Sequence, residues 1–312
     1  MSAAETRWLS RDTAIIDLQF QGVPKVIAAY LLDTSDGLAL IETGPTSTLK
    51  TLLDGVEALG RDVDDIRHLL VTHIHLDHAG AAGSLIWRIP KARLYVHDIG
   101  APHTIDPTNL VRSATRIYAD QMDLLWGEVV PVPAGNVVAV SDGDTIEIGG
   151  RSLAVIYTPG HAAHHVAFRD TRHNVVFAGD VAGIRIPPSP DTLPPTPPPD
   201  IDIGLWHASV ARLREIRPHR MLLTHFGVVN DVQDHLNLLD QRLDEWVDLV
   251  ASLAGQGLDR DTIVERLISH VEAQMAASGT SAVSLETALA TPYGMAVDGL
   301  LRYLRKRVGR DA

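Results

Sequence analysis

Between Val71 and Gly80 the chain reads Val-Thr-His-Ile-His-Leu-Asp-His-Ala-Gly, which places His73, His75, Asp77 and His78 within six residues. Imidazole nitrogen and carboxylate oxygen both bind Zn2+ well, and imidazole also suits iron. His73 and His75 alternate, so a locally extended backbone sends both rings to one side. Asp77 is expected to continue that alternation, with His78 turning to the other side as a helix begins. One such loop can feed two adjacent metals. The ordinary alternative is a polar turn in which Asp77 caps the following helix. That serves for a single histidine. Four such residues between two apolar runs are polar groups at the edge of a core, and they need partners.

The pattern His73-x-His75-x-Asp77-His78 resembles the signature of the metallo-β-lactamase superfamily. That family consists of αββα sandwiches, mostly metal-dependent hydrolases, with relatives in glyoxalase II, lactonases, nucleases and a few oxidoreductases. The resemblance implies three further ligands, and each position holds a competent residue. They are His161 in Thr158-Pro159-Gly160-His161, Asp180 in Gly179-Asp180, and His225 in Thr224-His225-Phe226-Gly227. By resemblance, one metal is held by His73, His75 and His161 and the other by Asp77, His78 and His225. Asp180 lies between them, since a carboxylate has two oxygens and can span cations about 3.5–4 Å apart. Pro159 and Gly160 suit a sharp turn at a strand end, and Gly179 suits close backbone approach. Phe226 stands where the family commonly has glycine and is expected to add bulk near the second metal.

Other polar residues are less determined. Glu42, in Ile41-Glu42-Thr43-Gly44, stands where the family usually carries aspartate. Support of a ligand imidazole from behind and an ordinary solvated carboxylate at a strand end both fit it. His164 and His165 are open between a contact to the metal site and the plain start of a strand. His97 and His103 match no ligand position and are read as surface or rim residues, and His219 is a decoy at the opposite end of the strand that leads to His225.

Those side chains need strands ending in turns, and the chain supplies them. Residues 14–20, 26–32 and 38–42 read as successive strands, with turn residues at 22–24 and 35–37. A helix is expected over about 46–59, a buried strand over Ile66–Val71, a helix over 79–89 closing on Pro90, and a strand over Arg93–His97. Residues 109–126 have helical spacing of Leu110, Ala114, Ile117, Met122 and Leu125. In the family this region often walls the substrate; a surface helix is the plainer expectation. Runs at 128–132, 136–140 and 145–148 suggest a second sheet built of hairpins, continued by strands over 153–157, 166–169 and 173–178. Residues 186–200 hold eight prolines and cannot be regular helix or central strand. They leave directly from Asp180, so an ordered loop at the mouth of the site is expected rather than a free spacer. A helix at 202–216 and a strand at 220–224 lead to His225. Helical patterns follow over 231–254, 259–277, 284–290 and 295–307, with Asp259 and Ser284 as N-caps.

The fold expected is therefore α/β, a four-layer αββα metallo-β-lactamase sandwich over residues 1–230 with a C-terminal helical extension over 231–312. That extension is expected to pack on the core, to wall the pocket or to make a homodimer contact. The basic end from Arg302 to Arg307 is open between contact with an anionic substrate and a solvated helix face, the commoner case.

The 312 residues carry 39 acidic against 27 basic groups, a net charge of −12, which opposes non-specific binding to nucleic acid. There is no cysteine, so no disulfide, thiolate ligand or cysteine nucleophile is available. No apolar run is long enough to span a membrane, and residues 1–20 show no apolar core of a secretory signal. A cytoplasmic location and a small-molecule substrate are expected. The resemblance implies a dinuclear hydrolase of a small ester, thioester or lactone. Its nucleophile would be a metal-bridging hydroxide, with Asp77 and Asp180 in catalytic roles and two divalent ions, Zn2+ first and Fe or Mn as alternatives. A phosphodiesterase or nuclease, and an iron-dependent oxidoreductase like the persulfide dioxygenases, are the other readings.

Overall fold

The computed structural model describes residues 5–187, 189–279, 289–290 and 292–310. The expected cap Ser284, with most of the helix expected over 284–290, lies outside the described residues. Seven strands form the first sheet in chain order: β1 (Arg7–Trp8), β2 (Thr13–Asp17), β3 (Ala28–Thr34), β4 (Gly37–Ile41), β5 (Ile66–Leu70), β6 (Arg93–His97) and β7 (Val137–Val140). Strands β1 to β4 run antiparallel, and β4 to β7 run parallel. The second sheet holds β8 (Thr145–Ile148), β9 (Arg151–Tyr157), β10 (Val166–Asp170), β11 (Val175–Phe177), β12 (Arg220–Leu223) and β13 (Gly227–Val229). Their spatial order is β13-β12-β11-β10-β9-β8.

Apolar side chains on both faces explain why the cores of β3 and β4 read as continuous apolar runs rather than alternating ones. Along β3, Ala28, Tyr30 and Leu32 point into the core between the sheets, and Ala29 and Leu31 point to the outer layer. Helices Leu49–Ala58, Ala82–Arg88 and Thr108–Tyr118 cover that outer face through Leu52, Val56, Leu85 and Ala114. Helices Ile203–Ile216, Val232–Gly255, Arg260–Ala277 and Tyr293–Arg310 cover the second sheet. Their buried Trp206, Leu239, Trp246, Leu267 and Leu300 join the same core that fills the space between the sheets. Asp202 and Asp259 cap two of these helices, accepting from Leu205 N and Thr262 N. The layers are helix, sheet, sheet, helix. No helix among the described residues is long and apolar enough to cross a membrane.

Several expectations change. Residues 128–132 form no strand; Pro131 and Pro133 lack the N–H a ladder needs, and β7 joins the first sheet beside β6 instead of opening the second. The helix expected over 79–89 is two pieces, Leu76–Ala79 and Ala82–Arg88. The helix expected over 109–126 breaks at Ala119, whose φ is 49°. The short strands β1 and β13, at opposite sheet edges, carry too little pattern to be read from sequence.

Strand direction decides what meets what. Strands β9 and β11 both pair antiparallel with β10, and β12 runs parallel to β11. The carboxyl ends of β9, β11 and β12 therefore lie on one rim. In the first sheet, parallel β4 and β5 likewise end together. Backbone bonds join the sheets there: Val166 N donates to Thr72 O, and Ala28 N to Thr224 O, both at 2.8 Å.

Candidate metal centre

All seven residues singled out above come from those strand ends, and the fold brings all of them together. His73, His75, Asp77 and His78 follow β5, His161 follows β9, Asp180 follows β11 and His225 follows β12. Ligand-capable atoms converge in three overlapping groups, each within 4.8 Å: His73, His75, His161; His73, His78, Asp180; and Asp77, His78, His225. Asp77 does not continue an extended alternation. A short helix begins at Leu76, so Asp77 and His78 are adjacent on its first turn, and no side chain caps it.

The first group is tight. His75 Nδ1 lies 2.9 Å from His73 Nε2 and 3.0 Å from His161 Nε2. In the second, His225 Nε2 lies 3.3 Å from Asp77 Oδ2. Asp180 faces both. Its Oδ2 is 3.4 Å from His161 Nε2, and its Oδ1 is 3.2 Å from His78 Nε2 and 3.6 Å from His225 Nε2.

Contacts behind the rings set which nitrogen faces inward. His161 Nδ1 sits 2.9 Å from Pro195 O, and His225 Nδ1 sits 2.7 Å from Val26 O. A carbonyl only accepts, so each Nδ1 carries a hydrogen and each Nε2 is the atom turned to the centre. His73 Nδ1 contacts Thr72 Oγ1 at 3.1 Å, and that hydroxyl donates onward to Glu42 Oε1 at 2.5 Å. Glu42 is fully buried, and its Oε1 also takes His78 Nδ1 at 3.1 Å and the Thr224 hydroxyl at 3.3 Å. Its Oε2 accepts Thr72 N at 3.3 Å. The longer glutamate arm thus reaches a ligand imidazole, which settles the choice left open in the sequence. Thr72, Thr158 and Thr224 were missed there; the signal was a threonine close before each histidine motif.

His165 holds the Asp180 turn. It is buried, and burial with His161 close by keeps the imidazole well below its usual range. Its Nε2 accepts from Asp180 N at 3.1 Å, and its Nδ1 lies 2.8 Å from Thr158 Oγ1. Gly179 has φ 54°, and a Cβ there would stand 2.5 Å from Thr72 Oγ1 and 2.7 Å from His165 Nε2. The close approach expected of this glycine is real. His164 stacks on His73 at 6.1 Å and lines the cavity above the centre, and His103 lies on its rim. His97 stacks on Tyr157, and His219 sits at the far end of β12. Phe226 is buried in the large core cluster.

Charge divides the centre. Burial pushes His75 down to about 3, and it holds His73 and His161 below the usual histidine range. Burial opposes charge on His78 too, but Asp180, Asp77 and Glu42 hold it well above that range; Asp180 and Asp77 likewise raise His225. Burial would raise Asp77, yet His78 and His225 bring it to about 2, and Asp180 is depressed by His78, His225 and His161. Three carboxylates therefore share one buried spot, where charge without compensation is costly. His78 Nε2 and Asp180 Oδ1, 3.2 Å apart, are both buried without a hydrogen-bond partner. Atoms that close and yet misaligned for a hydrogen bond are placed as two donors aimed at a third body. The donor set, the buried negative charge and the orphaned atoms fit a pair of divalent cations.

The centre floors a cavity of about 560 Å3. The proline-rich loop is ordered around it: Ile184 pairs with Leu193, and Pro195 and Pro197 line it. Met295 and Ala296 of the terminal helix complete that wall. Arg302 and Lys306 are exposed, as expected of a solvated face, and also donate to Pro199 O at 3.1 and 3.0 Å.

A family model described as the metallo-beta-lactamase superfamily matches residues 22–225. A metallo-beta-lactamase fold-containing protein of Sulfurisphaera tokodaii is 23% identical over 239 residues, 75% of this chain and 86% of that protein. A hydroxyacylglutathione hydrolase of Aeromonas salmonicida is 32% identical over 129 residues, which are 41% of this chain but 37% of the relative. Among solved structures, a metallo-beta-lactamase family protein from Thermus thermophilus matches with a TM-score of 0.70 at 21% identity. That match covers 96% of this chain and 95% of that one, a likeness of fold.

Proposed function

The chain belongs to the metallo-beta-lactamase superfamily, and from that premise we propose that it is a dinuclear metal-dependent hydrolase of a small ester, thioester or lactone. Water is added across the acyl–heteroatom bond, giving an acid and an alcohol or thiol. The observation that carries this is the division of Asp180, with Oδ2 toward His161 and Oδ1 toward His78 and His225. One carboxylate serving two donor groups suits two cations and not one. The filled second group of Asp77, His78 and His225 favours this over a mononuclear iron oxidoreductase.

We assign His73, His75 and His161 to the first cation, Asp77, His78 and His225 to the second, and Asp180 to both. Nitrogen and oxygen donors without thiolate suit Zn2+. Such a pair supplies a water of lowered pKa and a positive field for the oxygen of an acyl group. The chain's own residues do the rest. Pro195 O, Val26 O and Glu42 fix the rings of His161, His225 and His78. His165 fixes the Asp180 backbone. Asp77 has about a quarter of its side chain exposed and lines the cavity. Against the effect of burial, His78 and His225 hold its carboxylate near 2, so at neutral pH it would be ionised and able to orient a water at the cavity floor by accepting its hydrogen bond.

The test is Asp180→Asn with elemental analysis and a panel of chromogenic esters, thioesters and lactones. Bound metal is expected to fall from two per chain toward one or fewer, and turnover by roughly a hundredfold or more. Full retention of both metals and of activity removes the bridging role.

A further inference from the structure

The cavity above the centre is short of one kind of group. Its lining includes three acids, Asp77, Asp180 and Asp200, and no lysine or arginine among the described residues. The stretch 280–288 and Thr291 contain no lysine or arginine either, and their one charged residue is Glu286. The nearby Arg302 and Lys306 are turned to Pro199 O. The walls are mostly apolar, with Asn109, Ser113, Gln121 and Thr196 among them. Leu110, Ala114 and Ile117 line one side at helical spacing, and Pro195, Pro197 and Met295 line the other. Burial, with Asp77 near, pushes the Tyr118 phenol well above its usual range, so it stays protonated and uncharged.

We propose that the site takes an acyl substrate whose body beyond the scissile bond is uncharged and apolar, and discriminates against substrates with a carboxylate or phosphate at that remote end. This rests on the hydrolase reading of the same centre. The reasoning is one of desolvation. A cation pair on the floor compensates charge at the reacting acyl group. A remote anion must give up water against Leu110, Ile117 and Pro197, finds neutral hydrogen-bonding groups such as Asn109, Ser113 and Gln121 but no lysine or arginine to pair with, and faces Asp200. Enzymes that bind a remote carboxylate or phosphate need a guanidinium or ammonium for it, and this cavity has neither. The volume of about 560 Å3 falls within the range that encloses a small organic ligand.

The experiment compares two thioesters of one acyl chain in the full-length protein: S-hexanoyl-N-acetylcysteamine, which is neutral, and S-hexanoylglutathione, which carries remote carboxylates. It is run at about pH 8, above the ordinary range of histidine. With metal, kcat/KM is expected to favour the neutral thioester by about tenfold or more. Without metal, Trp126 in the cavity wall reports binding by its fluorescence, and the same preference is expected. The variant Gln121→Arg, at an exposed position of the lining, is expected to narrow the preference several-fold by supplying a cation. Equal binding and turnover of the glutathione thioester, or binding of neither ligand, overturns the proposal. Retained binding preference with no metal-dependent turnover would overturn the hydrolase reading and leave the ligand class standing.

Discussion

Replacing Glu42 by glutamine tests whether the centre depends on a carboxylate that touches no substrate. The exchange keeps the shape of the side chain and removes its charge. In the folded chain, Oε1 receives the Thr72 hydroxyl, His78 Nδ1 and the Thr224 hydroxyl, and Oε2 receives Thr72 N. Glutamine has one acceptor oxygen. If that oxygen stays with His78, the amide NH2 faces the Thr72 N–H, donor against donor, in a site with no water access. An unsatisfied buried donor costs about 1–3 kcal/mol. The bond to His78 also drops from charge-assisted to neutral, a further loss of about 1 kcal/mol. His78 is assigned to the proposed second cation, so part of the loss should appear as metal affinity. Disturbing a residue that orients a ligand imidazole typically lowers affinity about 10- to 100-fold. The assay is competition with a fluorescent zinc chelator, read separately for the first and second equivalents. The second is expected to weaken by that factor, with the first changed much less. Melting should also move down by several degrees. A variant with unchanged second-equivalent affinity would refute the claim that Glu42 positions His78.

Gly179→Ala puts a methyl group 2.5 Å from Thr72 Oγ1 at a φ of 54°; it is expected to cost about 1–3 kcal/mol, lower the melting temperature and reduce bound metal, and normal melting with full metal content would contradict the close approach. The metal-free protein should also carry a pH signature. His78 and His225 are raised above the usual histidine range, so their ion pairs stabilise that form fully below about pH 6.5 and lose this as pH rises through the raised values. Asp77 and Asp180 are depressed, so their contribution is present above about pH 4 and is lost on further acidification. Metal binding displaces the protons of His78 and His225 and strengthens over the same alkaline interval. The gap in melting temperature between metal-loaded and chelator-treated protein is therefore expected to widen from about pH 6 to about pH 9, and a constant or shrinking gap would count against this placing of the protons.

Much of the centre could be read from short stretches of chain. His73 to His78, the Pro159-Gly160 turn before His161, Gly179-Asp180 and His225 each join a residue type suited to metal with the local turn that ends a strand. Residue type and turn chemistry are properties of neighbours in the chain. The burial of the strand ending at Val71 was equally legible, because its run from Ile66 is apolar apart from Arg67 and His68. Other features were decided by packing between distant segments. Whether Glu42 faced water or His78 depended on two sheets closing over it; nothing within residues 41–44 contains that closure. Which nitrogen of His161 and His225 turns inward depends on carbonyls of Pro195 and Val26, residues 34 and 199 positions away. The expected extension of Asp77 failed because the helix at Leu76 starts earlier than the alternation suggested, and the strand expected at 128–132 failed because Pro131 within it and Pro133 just after it outweigh its β-rich composition. The cavity that lacks a cation belongs to no single stretch: it exists where helix 108–118, the proline-rich loop and the terminal helix meet. Sequence alone determined the donors and the turns that present them, because those are local chemistry. Only the tertiary structure decided their orientation, their shared charge and the walls around them, because those arise from contacts across the chain.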